Sequence, residues 1–326
     1  MTKPCRIISF GITAIDTIVS SSLSGGRTQF NESSQSNRTL GGEAANIAIA
    51  ANKQENVVVS LLSAVGNDVA GQWALQRLQC HGIDTSLVQI MRASSVQFKI
   101  DLADSGPASL LMNDHAAKYL SVESVSLETL KSFNLGIAHV PYVWESLLSF
   151  LDKSKAAGLK TIFNPSPIGL LKDISPIEKA DLTIANAGEA AVLCQKLGIT
   201  CRDITNAATL LKQKTGKDFI ITLGERGSVA AIDDEVWYAS SRKTQVIDPT
   251  GSGDAFIGFF AVSRLSGLPI RDCLRIATAA ASLVCEKMGA GESAPSYDKI
   301  HDALAETPVP QKQSKILFQK KPGFQK

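Results

Sequence analysis

Seven short runs of this chain are apolar almost throughout, and this constrains the fold more than any other feature. They lie at 5–10, 57–62, 136–140, 160–163, 182–184, 219–222 and 228–232. A strand that does not alternate polar with apolar residues belongs in a sheet covered on both faces. Helical patterns fall between these runs, at 44–52, 69–80, 144–157, 189–197, 206–214, 254–265 and 270–287. Strand–helix alternation of this kind predicts an α/β fold, a three-layer α/β/α sandwich around a central, mostly parallel sheet.

Two segments break the rhythm. Residues 20–40 are rich in Ser, Gly and Asn. Residues 96–112 hold two alternating runs around Asp104-Ser105-Gly106-Pro107, the pattern of a hairpin. Neither fits a strand–helix–strand unit, and a small β-sheet lid accommodates both. From Thr307 the composition turns polar and basic. The expected division is one domain over 1–306 and a disordered tail over 307–326.

Composition excludes several functions. The formal net charge is +2, from 33 Lys and Arg against 31 Asp and Glu, without the basic stripe of a nucleic-acid binder. No run approaches the roughly 20 apolar residues of a membrane span. Six scattered cysteines form no C-x-x-C pair, which gives no zinc site and points to a reducing compartment, the cytoplasm.

The sharpest segment is Asp248-Pro249-Thr250-Gly251-Ser252-Gly253-Asp254, which follows a strand-like run at 244–247 and opens an apolar helix. Gly251 and Gly253 let the backbone approach a ligand. The free N–H groups and positive dipole end of the helix suit a transferring phosphoryl group. Asp254 at that helix start can take a proton from an attacking hydroxyl, or it is simply a helix cap. Gly41-Gly42-Glu43-Ala44-Ala45-Asn46 offers a glycine pair for backbone contact with a substrate and an amide that both donates and accepts. A loop leading into a capped helix reads equally well there.

These segments resemble the two signatures of the ribokinase-like, or PfkB, carbohydrate kinases. Pro249 and Ser252 depart mildly from the usual D-T-T-G-A-G-D. Four further matches stand in family order: the opening Gly11-Ile-Thr-Ala-Ile-Asp16, Asn164-Pro-Ser-Pro167, Asn186-Ala-Gly-Glu189 and Thr222-Leu-Gly224-Glu-Arg-Gly227. The resemblance covers about residues 5–305 and implies a lidded sandwich that phosphorylates a hydroxyl of a small sugar with ATP. It implies Asp254 as base and Gly251, Ser252 and Gly253 as anion hole. Asp16, Gly41, Gly42 and Asn46 would hold the substrate. Asn186, Glu189, Thr222, Gly224 and Gly227 would serve ATP, with Mg²⁺ reached from Glu189 through water. Asp248 and the Thr250 backbone correspond to a monovalent-cation (K⁺) site of many relatives. Lid closure would exclude water, and a homodimer through the lid is a further expectation.

Other readings stay open at this point. A nucleoside kinase, or a catalytically silent sugar-binding protein, would share the fold. A Walker-type NTPase lacks its G-x-x-x-x-G-K-[ST], and a nicotinamide enzyme lacks G-x-G-x-x-G after the first strand. The four histidines show no metal spacing, and Tyr142 or Trp144 is a candidate to stack on the substrate.

Overall fold

The computed structural model describes residues 4–20, 35–101, 109–110 and 114–313. The main sheet has six parallel strands, five of which are β1 (Cys5–Phe10), β4 (Val57–Leu62), β9 (Leu135–His139), β10 (Lys160–Asn164) and β11 (Leu182–Asn186). It continues through β12 (Asp218–Thr222), β13 (Ser228–Ile232), β14 (Glu235–Ala239) and β15 (Gln311–Lys312). Its nine strands run β15-β14-β13-β12-β11-β10-β9-β1-β4, parallel from β4 to β12 and antiparallel beyond.

Both faces of this sheet are buried, as the apolar runs require. Along β1, Ile7 joins one core while Ile8 and Phe10 join the other. One face is covered by α3 (Leu127–Lys131), α4 (Trp144–Ala156), α5 (Ser175–Lys179), α6 (Ala187–Lys196) and α7 (Ala207–Thr215). The opposite face carries α1 (Glu43–Asn52), α2 (Val69–Cys80), α8 (Ser252–Leu265) and α9 (Ile270–Val284), with α10 (Tyr297–Leu304) packed outside α9. Two short parallel strands, β5 (Ala64–Gly66) and β6 (Gln89–Met91), lead toward α2 and the lid.

The lid is a separate four-stranded sheet ordered β3-β2-β7-β8. Its strands are β2 (Ala14–Ser20), β3 (Gln35–Gly41), β7 (Val96–Asp101) and β8 (Ser109–Leu110). Strand β2 is an addition to the expected lid segments, the first of which began at residue 20. The hairpin turn at 104–107 and residues 21–34 lie outside the described residues.

Two local expectations are corrected. Residues 244–247 are not a strand: the Ile247 N–H donates to the Cys285 carbonyl at 2.7 Å, and the segment lines a cavity instead of a sheet. Past Thr307 the chain does not leave the body at once. Gln311 and Lys312 pair with Tyr238 and Trp237 as an edge strand. The expected tail beyond Gln313 lies outside the described residues.

Candidate active site

The site forms where α1 and α8 touch. Helix α1 presents a run of buried alanines, Ala44, Ala45, Ala48, Ala50 and Ala51. Opposite them stands Gly258, whose added Cβ would lie 2.9 Å from the Ala51 nitrogen and 3.0 Å from the Ala50 Cβ. Backbone therefore packs on backbone, and the first turns of the two helices meet. Asn46 donates from Nδ2 to Asp254 Oδ2 at 2.9 Å. Its Oδ1 accepts the Gly291 N–H at 3.2 Å, which fixes which way the amide faces.

Gly251 caps α8 with φ 79°, a left-handed conformation that only glycine adopts at little cost. A Cβ there would also stand 2.8 Å from the Ala290 Cα. The Ser252 N–H donates to the Pro249 carbonyl at 3.2 Å. The N–H groups of Gly253 and Asp254 lie in the first turn, where a helix supplies no acceptor. They are the donors best placed for an incoming anion.

Four acids gather around this helix start. Asp16, on β2, is buried and packed against Gly41, where an added Cβ would meet its Oδ2 at 2.2 Å. Burial and then the charge of Glu43 push the Asp16 carboxyl up to about 6. Asp254 is partly accessible, as a substrate requires, yet largely desolvated. Burial and then Glu43 push its carboxyl well above the usual range, the Asn46 hydrogen bond pulls it back, and Glu189 raises it again. Glu189 is raised by burial, against the Asn186 N–H bond and with the charge of Glu43. Glu43 is itself raised by burial, and its Oε1 accepts from Ser166 Oγ at 3.4 Å. Glu43 and Ser166 are the residues that sequence reasoning missed. The available signal was an acid in place of the variable residue after Gly41-Gly42.

The other side of the α8 start opens on a cavity of about 670 Å³. Thr222, Gly224, Gly227, Ser252 and Gly253 line it, together with Arg242, Lys243 and Phe256. The first turn of α8 is thus a wall: Ser252 and Gly253 face the cavity, while Asp254 reaches Asn46. Asn186 and Glu189 do not line this cavity. They form a capping box at the start of α6, with Asn186 Oδ1 accepting the Glu189 N–H at 2.9 Å and Glu189 Oε2 accepting the Asn186 N–H at 2.8 Å. A hydrogen bond from Ser166 also lowers Glu189, against the effect of its burial.

Among the described residues, no group of three His, Cys, Asp or Glu side chains converges to cage a metal. Glu189 could reach a metal ion only through water, as Mg²⁺ sites commonly allow. Asp248 accepts the Thr250 N–H at 2.9 Å and the Gly289 N–H at 3.0 Å, and so ties together the two loops that flank Gly251. Trp144 belongs to the core, whereas Tyr142 is half-buried beside the lid and meets the His115 ring edge-on at 4.3 Å. His139 is buried and held by Asn164, a structural role.

A lidded α/β sandwich that sets free helix-start N–H groups beside a desolvated aspartate is an arrangement suited to phosphoryl transfer. Residues 5–297 match the pfkB family of carbohydrate kinases. The chain is 28% identical over 268 residues to a deoxyribokinase of Salmonella typhi, covering 81% of this chain and 87% of that protein. It is 28% identical over 304 residues to a ribokinase of Schizosaccharomyces pombe, covering 89% and 95%. The structure of Arabidopsis thaliana ribokinase complexed with ribose and ATP superimposes with a TM-score of 0.79 at 23% identity, covering 93% of this chain and 99% of that one. The chain belongs to the pfkB family. It is a carbohydrate kinase, an enzyme that phosphorylates an alcohol group. No helix among the described residues is long and apolar enough to cross a membrane.

Proposed function

We propose that the protein transfers the γ-phosphoryl group of ATP to a hydroxyl of a small neutral sugar, with a pentose as the leading class. The single observation that carries this reading is the wall at the α8 start. Its Ser252-Gly253 side faces a nucleotide-sized cavity, and Asp254 on the other side is held by Asn46 at 2.9 Å. ATP would lie along Thr222, Gly224 and Gly227 with its phosphates toward Gly251–Gly253. The sugar would lie under the lid against Asp16, Gly41, Gly42 and Asn46. Asp254 takes the proton from the attacking hydroxyl, and the free N–H groups of the first turn hold the moving phosphoryl. Glu189 would hold a Mg²⁺ through water, and the ion would supply charge neutralisation on the phosphates. A K⁺ ion would sit beside Asp248 and the Thr250 carbonyl. The acids around the site carry negative charge toward the sugar, which disfavours phosphorylated or acidic substrates. A deoxyribokinase and a ribokinase are among the relatives, which supports 2-deoxyribose and ribose as the first sugars to test.

The test is ADP release from Mg-ATP against ribose, 2-deoxyribose, fructose, adenosine and fructose phosphates, with Asp254→Asn in parallel. A pentose is expected to turn over, and the variant to lose roughly 10²–10⁴-fold in kcat while still binding ATP. Binding without turnover, unaffected by the variant, would sink the enzyme reading for these substrates.

A further inference from the structure

Among the described residues, the Glu292 carboxylate meets three side chains, those of Thr39, Arg77 and His81. It lies in the single 3₁₀ turn Gly291–Ser293. Its Oε2 accepts from Thr39 Oγ1 of lid strand β3 at 2.9 Å. Its Oε1 accepts from Arg77 Nε at 2.5 Å and meets His81 Nε2 at 3.0 Å. Arg77 lies on α2 and His81 caps its end; with Trp73 they recur every four residues and form one stripe of that helix. Arg38, next to Thr39, sets its guanidinium 5.5 Å from the centre of the Trp73 ring. The stripe and Glu292 together therefore grip lid strand β3 from the body.

Both ends of this grip reach the reacting groups. Thr39 pairs directly across the lid sheet with Asp16, so the two side chains share a face. On the other side, the residue before Glu292 donates its N–H to Asn46, and Asn46 donates to Asp254. One path runs Asp16, Thr39, Glu292; the other runs Gly291, Asn46, Asp254. They join at adjacent residues of one turn.

We propose that Glu292 is a positioning residue that registers lid strand β3 against the Gly291 turn and so fixes the spacing between the substrate acid Asp16 and the Asn46–Asp254 pair. It is not a pH switch. Burial pushes its carboxyl up, but the bonds from His81, Arg77 and Thr39 outweigh burial and hold it down at about 2. The grip is therefore charged across the working range. Glutamine retains the shape: its oxygen can still accept from Arg77, and its NH₂ can donate to the Thr39 hydroxyl with the roles reversed. Alanine retains none of the bonds.

The kinetic arm of the test rests on the sugar-kinase reading, and the exchange arm does not. In Glu292→Ala, kcat with the sugar is expected to fall roughly 10–100-fold and sugar KM to rise, with ATP KM unchanged, because the fault is one of alignment. The acid limb of kcat/KM is expected to move to higher pH as Asn46 loosens its hold on Asp254. Glu292→Gln should recover most of the loss, and Thr39→Val should show part of it. Hydrogen exchange on the full chain is the second arm. Glu292→Ala should speed exchange at β3 and also at the first turns of α1 and α8. Faster exchange at β3 alone, with the helix starts unchanged, overturns the coupling. So does a kinetic loss shared equally by sugar and ATP and not restored by glutamine. If the wild-type protein phosphorylates no sugar, the function reading fails while the exchange result still decides the coupling.

Discussion

At the scale of single residues, the proposed reaction turns on the proton affinity of Asp254. Its surroundings push its pKa up through burial and the charge of Glu43, and Asn46 alone among the named causes pulls it down. A base with a raised pKa is a stronger proton acceptor but is protonated over more of the acid range. Activity should accordingly rise with pH through that raised value. Glu43→Gln removes a charge that raises Asp254 and leaves a side chain that can still bond Ser166. The acid limb of the kcat/KM profile is then expected to move to lower pH, as measured by ADP release across a pH series. A limb that stays fixed or moves upward would show that Glu43 does not act on the base. This residue was not legible in the sequence. Gly41, Gly42 and Asn46 carry recurring chemistry, whereas a lone acid between them acquires meaning only when Asp16, Asp254 and Glu189 are brought around it from distant parts of the chain.

At the scale of elements, the Asn46–Asp254 geometry depends on how closely α1 and α8 approach. Gly258 permits it, since its Cβ position is already 2.9 Å from the Ala51 nitrogen and 3.1 Å from the Ile47 carbonyl. Gly258→Ala puts a methyl against backbone that cannot rotate away. A cost of about 1–3 kcal/mol in stability is expected from overpacking. A fall in kcat should accompany it, because the same displacement separates Asn46 from Asp254. Thermal melting and kcat measured together check this, and a stable variant with unchanged kcat would show that the close approach is not what sets the pair. The sequence announced both helices through their periodicity but not their contact, since small residues mark many buried helices. The apolar strands were likewise plain. Strand β14 was not: its sequence Glu-Val-Trp-Tyr-Ala mixes charge and aromatics as an edge-proximal strand does. Helices α3 and α5 span five residues each, too few to show a period. The run at 244–247 has strand composition but borders the cavity beside Ser252 and Gly253, where its backbone bonds Cys285 instead of a neighbour in the sheet.

At the scale of the whole molecule, the site residues sit beyond the carboxyl ends of the parallel strands, where an open α/β sheet leaves a crevice. Asp16 follows β1, and Asn164, Asn186 and Thr222 end β10, β11 and β12. The far edge of the same sheet is closed by the chain's last described strand. Thr307 is buried, and its carbonyl accepts from Arg275 Nε at 2.9 Å while Leu304 accepts from Arg275 Nη2 at 2.6 Å. Farther on, Lys312 pairs with Glu235 and stands 5.9 Å from the centre of the Trp237 ring. A chain ending after Glu306 would lose one of the two carbonyls that hold Arg275 and would bare the β14 edge. Leaving a partly buried guanidinium short of acceptors costs about 1–3 kcal/mol. Compared with a chain ending after Gln313, it is expected to melt several degrees lower. ATP KM is expected to stay the same in both, because Arg242 keeps Glu286 and Glu306 and continues to line the cavity proposed for ATP. Equal melting of the two truncations would show that the body ends at Glu306. A raised ATP KM in the shorter one would show that the sheet edge and the nucleotide site are one cooperative unit.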